Sequence, residues 1–143
     1  MKTIILGLLG VLQGFNVTAY RSVPNQTDST PFHTSTGEHV SPYGVAVSQD
    51  LICPLCKRLK KRCGNPPDGS KVHYGDLVLI QGVGFKFVND LMSERHRNRF
   101  DVWVATLRDE QAFHKRFKDK KLKVWRIYEA SKESKGYKNK TKR

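Results

Sequence analysis

A chain of 143 residues has room for one compact domain with appendages and not for several domains. Its hydrophobic fraction of 38% is low for a wholly globular chain, so part of the length is expected to be solvated loop or tail. The formal charge of +13 would suit a nucleic-acid binder if it were spread among aromatics, but ten of the thirteen excess charges fall in two runs, Lys57 to Arg62 and Ser131 to Arg143. Nucleic-acid faces interleave basic and aromatic side chains. That segregation leaves a basic nucleic-acid-binding protein as the weakest functional class, and no nucleic acid is expected as a partner.

In chain order, Met1-Lys2-Thr3 precedes the apolar stretch Ile4 to Leu12, too short to cross a bilayer but suited to the core of a secretory signal. Residues 1–14 are therefore expected to be a signal peptide, and the protein to be exported to periplasm, cell wall or medium. With no cysteine closing the stretch, a lipoprotein anchor is not expected. Asn16 to Tyr20 alternates like a strand, and Arg21 to Thr30 is a polar loop. His33 to Gly37 reads as a turn and Gly44 to Val47 as a short buried strand. Cys53 to Gly69 is basic and then turn-rich, and reads as an insertion, at about residues 52–72, forming a loop or small subdomain.

Strand patterns resume at Asp76 to Ile80, Gly84 to Val88 and Arg99 to Val104. Leu107 to Lys118 has helical spacing, with Thr106 as N-cap and Asp109 in the first turn, where a carboxylate suits the helix dipole. Leu122 to Tyr128 closes as a strand. The Lys-rich tail, 131–143, is expected to be disordered and to be drawn to an anionic wall polymer or a membrane surface. The inventory is that of a small, mainly β barrel with one or two short helices.

Cys53, Cys56 and Cys63 are an odd count, so a disulfide framework cannot use every thiol. Their C-x2-C-x6-C spacing with His73 admits a Cys3His zinc site; one disulfide with a spare thiol and three unlinked thiols are the other readings. No cofactor is assigned.

The order of the pieces resembles the 3D (three-aspartate) domain, a double-psi β-barrel family related to the catalytic barrel of membrane-bound lytic transglycosylase A. The resemblance rests on the strand Val17-Thr18-Ala19-Tyr20, the loop Thr27-Asp28-Ser29-Thr30-Pro31, the turn Thr34-Ser35-Thr36-Gly37 and the strands Gly44 to Val47 and Tyr74 to Ile80. It continues through Val88-Asn89-Asp90 and Asn98-Arg99-Phe100-Asp101-Val102-Trp103. It implies a six-stranded double-psi barrel over residues 15–130. Two departures stand out: the family's glycine-rich loop after the second aspartate is replaced by Leu91 to Arg97, and the Cys53 to Gly69 insertion is extra.

The resemblance also implies an activity, lytic cleavage of the MurNAc-GlcNAc bond of peptidoglycan. A lytic transglycosylase needs no water, because the muramyl C6 hydroxyl attacks C1 and leaves a 1,6-anhydro product. One carboxyl can then serve as acid for the leaving oxygen and as base for the C6 hydroxyl. It must hold its proton well above the ordinary Asp value of about 3.9, which crowded carboxylates and partial burial achieve. The implied acid/base is Asp101, with Asp90 as its tuner and Asp28 holding the first loop. Thr18, Tyr20, Thr36, Asn98 and Arg99 are candidate substrate-binding residues; Trp103 and Trp125 are expected in the core. The partner is peptidoglycan glycan, and the alternative function is a non-catalytic cell-wall glycan-binding module, which the altered Leu91 to Arg97 loop favours.

Overall fold

The computed structural model describes residues 6–23, 32–63 and 71–129, with side chains from residue 14 to residue 127 within those stretches. Six strands, β1 (Leu6–Tyr20), β2 (Gly44–Val47), β3 (Leu77–Ile80), β4 (Gly84–Leu91), β5 (Arg99–Trp103) and β6 (Lys121–Glu129), accompany two helices, α1 (Pro54–Leu59) and α2 (Leu107–Phe117). The strands close into a barrel in the order β1-β5-β2-β4-β3-β6. Closure leaves no open sheet edge along the ring as a whole, the usual hazard of an antiparallel sheet. Two pairings are parallel, β1 with β5 and β2 with β4. Such pairings need crossover connections instead of hairpins, and the result is the small, mainly β, six-stranded barrel with two short helices that was expected.

Period-two alternation decides which side chains fill the barrel. In β1, Phe15, Val17 and Ala19 are buried while Asn16, Thr18 and Tyr20 are partly exposed. In β5 the buried positions are Phe100 and Val102, with Arg99, Asp101 and Trp103 on the other face. Phe15 and Phe100 meet edge to face with ring centres 5.1 Å apart, in the middle of a core completed by Val45, Val47, Val78, Ile80, Val88 and Val124. Phe100 is fully buried, and truncating such a residue to Ala costs about 3–5 kcal/mol.

Three elements differ from the sequence reading. β1 begins at Leu6 rather than Asn16, and residues 6–16 pair antiparallel with β6 from Glu129 back to Lys121, through two irregularities. The apolar run read above as part of an export leader here supplies strand pairing. β4 continues three residues past Val88, to Leu91. Within the basic insertion a six-residue helix, α1, opens on Pro54 and stops where Lys60 takes a left-handed conformation (φ 54°). It is too short to display a period, with Cys56 its one buried residue. The isolated bridge between Ile52 and Val72 ties the base of the insertion.

Helix α2 packs on β1. Thr106 Oγ1 accepts from the Asp109 backbone N–H at 3.1 Å, the cap expected from the sequence. Phe113 and Phe117, ring centres 4.8 Å apart, pack against the core cluster.

Candidate functional site

The barrel register sets four residues in a row across four strands. Thr18 on β1 is opposite Asp101 on β5, Asp101 is opposite Ala46 on β2, and Ala46 is opposite Asp90 on β4. Directly opposed residues share a face. This face is the outer one, because the neighbouring pairs Val45–Val102 and Val47–Phe100 point into the core. Two carboxylates therefore flank the methyl group of Ala46, with their backbones two strand spacings, about 9–10 Å, apart.

Asp90 reaches that row through a β-bulge. Val45 opposes Val88 and Val47 opposes Leu91, so the single residue Ala46 faces two, Asn89 and Asp90. Plain alternation from the buried Val88 would turn Asp90 inward. The extra residue re-aims it outward, a recurring use of bulges beside functional sites. Gly44, at the start of β2, leaves room for this: a Cβ there would lie 2.7 Å from the Asn89 side-chain amide.

The carboxylates are held differently. Asp101 Oδ1 accepts from the Thr18 hydroxyl at 2.9 Å. Asp90 Oδ1 accepts from the Ser35 backbone N–H at 2.8 Å, the Ser35 hydroxyl at 2.5 Å and the Leu91 N–H at 2.8 Å, and Oδ2 accepts from the Tyr20 hydroxyl at 3.4 Å. Asp90 is held by four donors, three of them on Oδ1. Asp101 is the less engaged of the two.

Electrostatics separates them further. Burial is the largest influence on Asp101 and pushes its carboxyl up to about 7 from 3.8. The Thr18 hydrogen bond and the Arg99 charge pull down, and the negative charges of Glu110 and Asp90 push up. Glu110 comes from the first turn of α2, where it is buried and paired with Arg21 at 3.3 Å. A carboxyl near 7 is able to give and take a proton at neutral pH. Tyr74, buried near Ser35 and Asp90, has its hydroxyl pushed above 10.0, chiefly by burial.

Of the site residues expected from the sequence, the structure brings together Asp101, Asp90, Thr18 and Tyr20, and places Arg99 one outward position before Asp101 on β5. The buried Arg99 Nε has no hydrogen-bond partner among the described residues. Thr18 and Tyr20 hold the carboxylates. Thr36 donates to the Asn89 carbonyl at 3.2 Å, supporting the bulge. Asn98, left-handed at φ 52°, donates its side-chain amide to the Gly14 carbonyl at 3.3 Å, pinning the start of β5 to β1. Asp28 lies outside the described residues. Trp103, expected in the core, is instead partly exposed on the outer face, and its indole N–H donates to Ser22 Oγ at 3.0 Å. Trp125 is also partly exposed.

Sequence reasoning missed Ser35, Ala46 and Glu110. It also missed a cleft of about 320 Å³ beside Asn89, lined by Tyr43, Gly44 and Phe87 among others, which does not include Asp101. Tyr43 and Phe87 are 72% and 50% exposed, so their rings are open to a ligand rather than spent on the core. His114 accepts the Ala19 backbone N–H at 3.1 Å and so satisfies a stretch of β1 beyond its pairing with β6.

Away from this face, Cys56 and Cys63 form a disulfide with Cα atoms 5.2 Å apart, and Cys53 is a free thiol. Compared with protein-family models and with curated proteins, the chain matches none.

Proposed function

We propose that this protein is a peptidoglycan lytic transglycosylase, an exported enzyme in which Asp101 is both acid and base. The single observation that carries the reading is the Asp101 carboxyl, raised to about 7 on an outer barrel face beside a second, firmly held carboxylate. Thr18 occupies Oδ1, so the transferable proton belongs on Oδ2. In the first half of the reaction Asp101 donates that proton to the glycosidic oxygen as C1 gains oxocarbenium character. In the second half the carboxylate takes the proton of the muramyl C6 hydroxyl as that oxygen bonds to C1.

Asp90, across Ala46, adds to the proton affinity of Asp101, and in this reading its carboxylate stabilises the developing positive charge on the sugar. Arg99, one outward position before Asp101 on β5, in this reading pairs with the lactyl carboxylate of a muramyl residue. The sugar ring, in the same reading, lies over the small Ala46 side chain, between the two carboxylates.

The test is digestion of purified peptidoglycan with wild-type and Asp101→Asn protein, followed by mass spectrometry. The expected result is 1,6-anhydro-muropeptides from the wild type and none from the variant. Reducing-end muramic acid in place of the anhydro product would mean transfer to water, and would overturn the lytic reading in favour of hydrolysis. Wall binding without any product would assign the barrel to the glycan-binding class, for which the Tyr43–Phe87 cleft is the supporting feature.

A further inference from the structure

The disulfide leaves two neighbours unexplained. The Sγ atoms of Cys53, Cys56 and Cys63 and a ring nitrogen of His73 all lie within 4.8 Å of one another. His73 Nδ1 is 3.3 Å from the sulfurs of both Cys56 and Cys63, and Cys53 Sγ is 3.8 Å from Cys63 Sγ. A disulfide between Cys56 and Cys63 requires neither the third sulfur nor the imidazole. Cys56 and His73 are buried, at 0% and 3% exposure. The ring nitrogen faces both sulfurs at once, an arrangement that a disulfide alone does not call for.

From this convergence we infer that Cys53, Cys56, Cys63 and His73 form a closed tetrahedral Cys3His site for a structural Zn²⁺ ion. Zinc bonds of about 2.3 Å to sulfur place thiolates about 3.8 Å apart on a tetrahedron, the separation found between Cys53 and Cys63. Four protein ligands leave no open position, so the ion is a staple and not a catalyst. Three thiolates and a neutral imidazole around Zn²⁺ carry one net negative charge, and the adjacent Lys57, Arg58, Lys60, Lys61 and Arg62 offset it.

The supports of the ligands are already in place. Cys53 is the residue before α1 and its side chain makes no capping bond, while Cys56 is the buried residue of that helix. The His73 backbone N–H donates to Asp76 Oδ2 at 2.8 Å, and Asp76 in turn is paired with Arg62 at 3.1 Å and Arg126 at 3.9 Å. His73 Nδ1 also lies 3.1 Å from the Cys63 carbonyl oxygen. In the metal-free state it donates there, and on ligation the ring proton moves to Nε2. Backbone bonds Cys53 N–H to Val72 O and Val72 N–H to Leu51 O, both 2.8 Å, already bring the two ends of the insertion together.

Disulfide and metal are alternative states of one cluster. A ligating sulfur must be a thiolate, so Cys56 and Cys63 bind only after the S–S bond has taken up two electrons and two protons. Binding then releases the three thiol protons to solvent.

The test uses the full chain reduced with a phosphine, titrated with Co²⁺ and then with Zn²⁺. Wild type is expected to bind one Co²⁺ with the intense visible bands of a tetrahedral thiolate complex, and to exchange it for one tightly held Zn²⁺. Cys53→Ser decides the matter, because that residue is outside the disulfide. It is expected to lose stoichiometric zinc and the tetrahedral spectrum while still forming the Cys56–Cys63 bond on oxidation. A chelator should lower the melting temperature of reduced wild type and leave that of Cys53→Ser unchanged. A reduced wild type that takes up no stoichiometric Co²⁺ or Zn²⁺, or a Cys53→Ser variant that binds zinc as tightly as wild type, overturns the site. None of these readouts depends on glycan cleavage.

Discussion

Thr18 and Asp101 are paired twice, by strand register across the parallel β1–β5 seam and by a 2.9 Å hydrogen bond from the threonine hydroxyl to Oδ1. The bond favours the charged carboxylate and so holds down a pKa that burial drives up. Replacing Thr18 with Val keeps the β-branched shape and removes the donor. The Asp101 pKa should then rise above about 7, and the upper limb of the pH profile for muropeptide release should move to higher pH. A profile unchanged from wild type would separate Thr18 from the proton chemistry.

Asp101→Asn should remove turnover by about 10²–10⁴-fold, the scale of general acid–base catalysis, and should also change stability. The folded-state pKa of Asp101 is raised, to about 7 against 3.8, so the folded form binds the proton more tightly than the unfolded chain does. That contribution is fully present below about pH 4, declines as pH rises toward 7, and is gone above it. Asn does not ionise. The variant should therefore be more stable than wild type at pH 8, by about 2–4 kcal/mol, with the advantage disappearing near pH 4. Urea unfolding at the two pH values measures it.

Ala46→Val places a branched side chain between the two carboxylates. Activity should fall about tenfold or more, because the substrate ring loses its floor and small misplacements are costly. Overpacking of a residue only 4% exposed should cost about 1–3 kcal/mol. Comparing kcat/KM with the denaturation midpoint of the same preparation separates the two effects.

Thr106→Ala removes the side-chain cap at the N-terminus of α2. A loss of about 1 kcal/mol in urea unfolding is expected. Because α2 carries Glu110, which raises the Asp101 pKa, looser docking of its first turn should also move the pH profile to lower values.

Much of the barrel can be read from period two alone. β3 and β5 alternate cleanly, and Asp101 stands out as a carboxylate between Phe100 and Val102 in an apolar strand. The Thr106 cap was legible for the same reason, a hydroxyl immediately before a helical pattern. The bulge was not. Phe87, Val88, Asn89 and Asp90 read through as a strand ending, and only pairing with Ala46 reveals that two residues face one. Ser35 was hidden because one of its two contributions to Asp90 comes from its backbone, and Ala46 because an alanine has no chemistry to notice. Glu110 did leave a signal: it shares a helical stripe with Phe113 and Phe117, where a charge is out of place unless the face meets a polar site. The helix α1 could not be found by periodicity, since six residues do not make two turns.

β1 sends Thr18 to one carboxylate and Tyr20 to the other. These hydroxyls are two residues apart on one face, and a slip of one position would turn both inward and bring Val17 and Ala19 out. The two acids therefore come under control together, and only when this strand has found its parallel neighbour. A chain still in transit, with the barrel unsealed, would in the proposed role have the residues of the site but not its geometry. In the proposed role, closing the barrel is also the safety catch that keeps the cell's own wall from being cut too early.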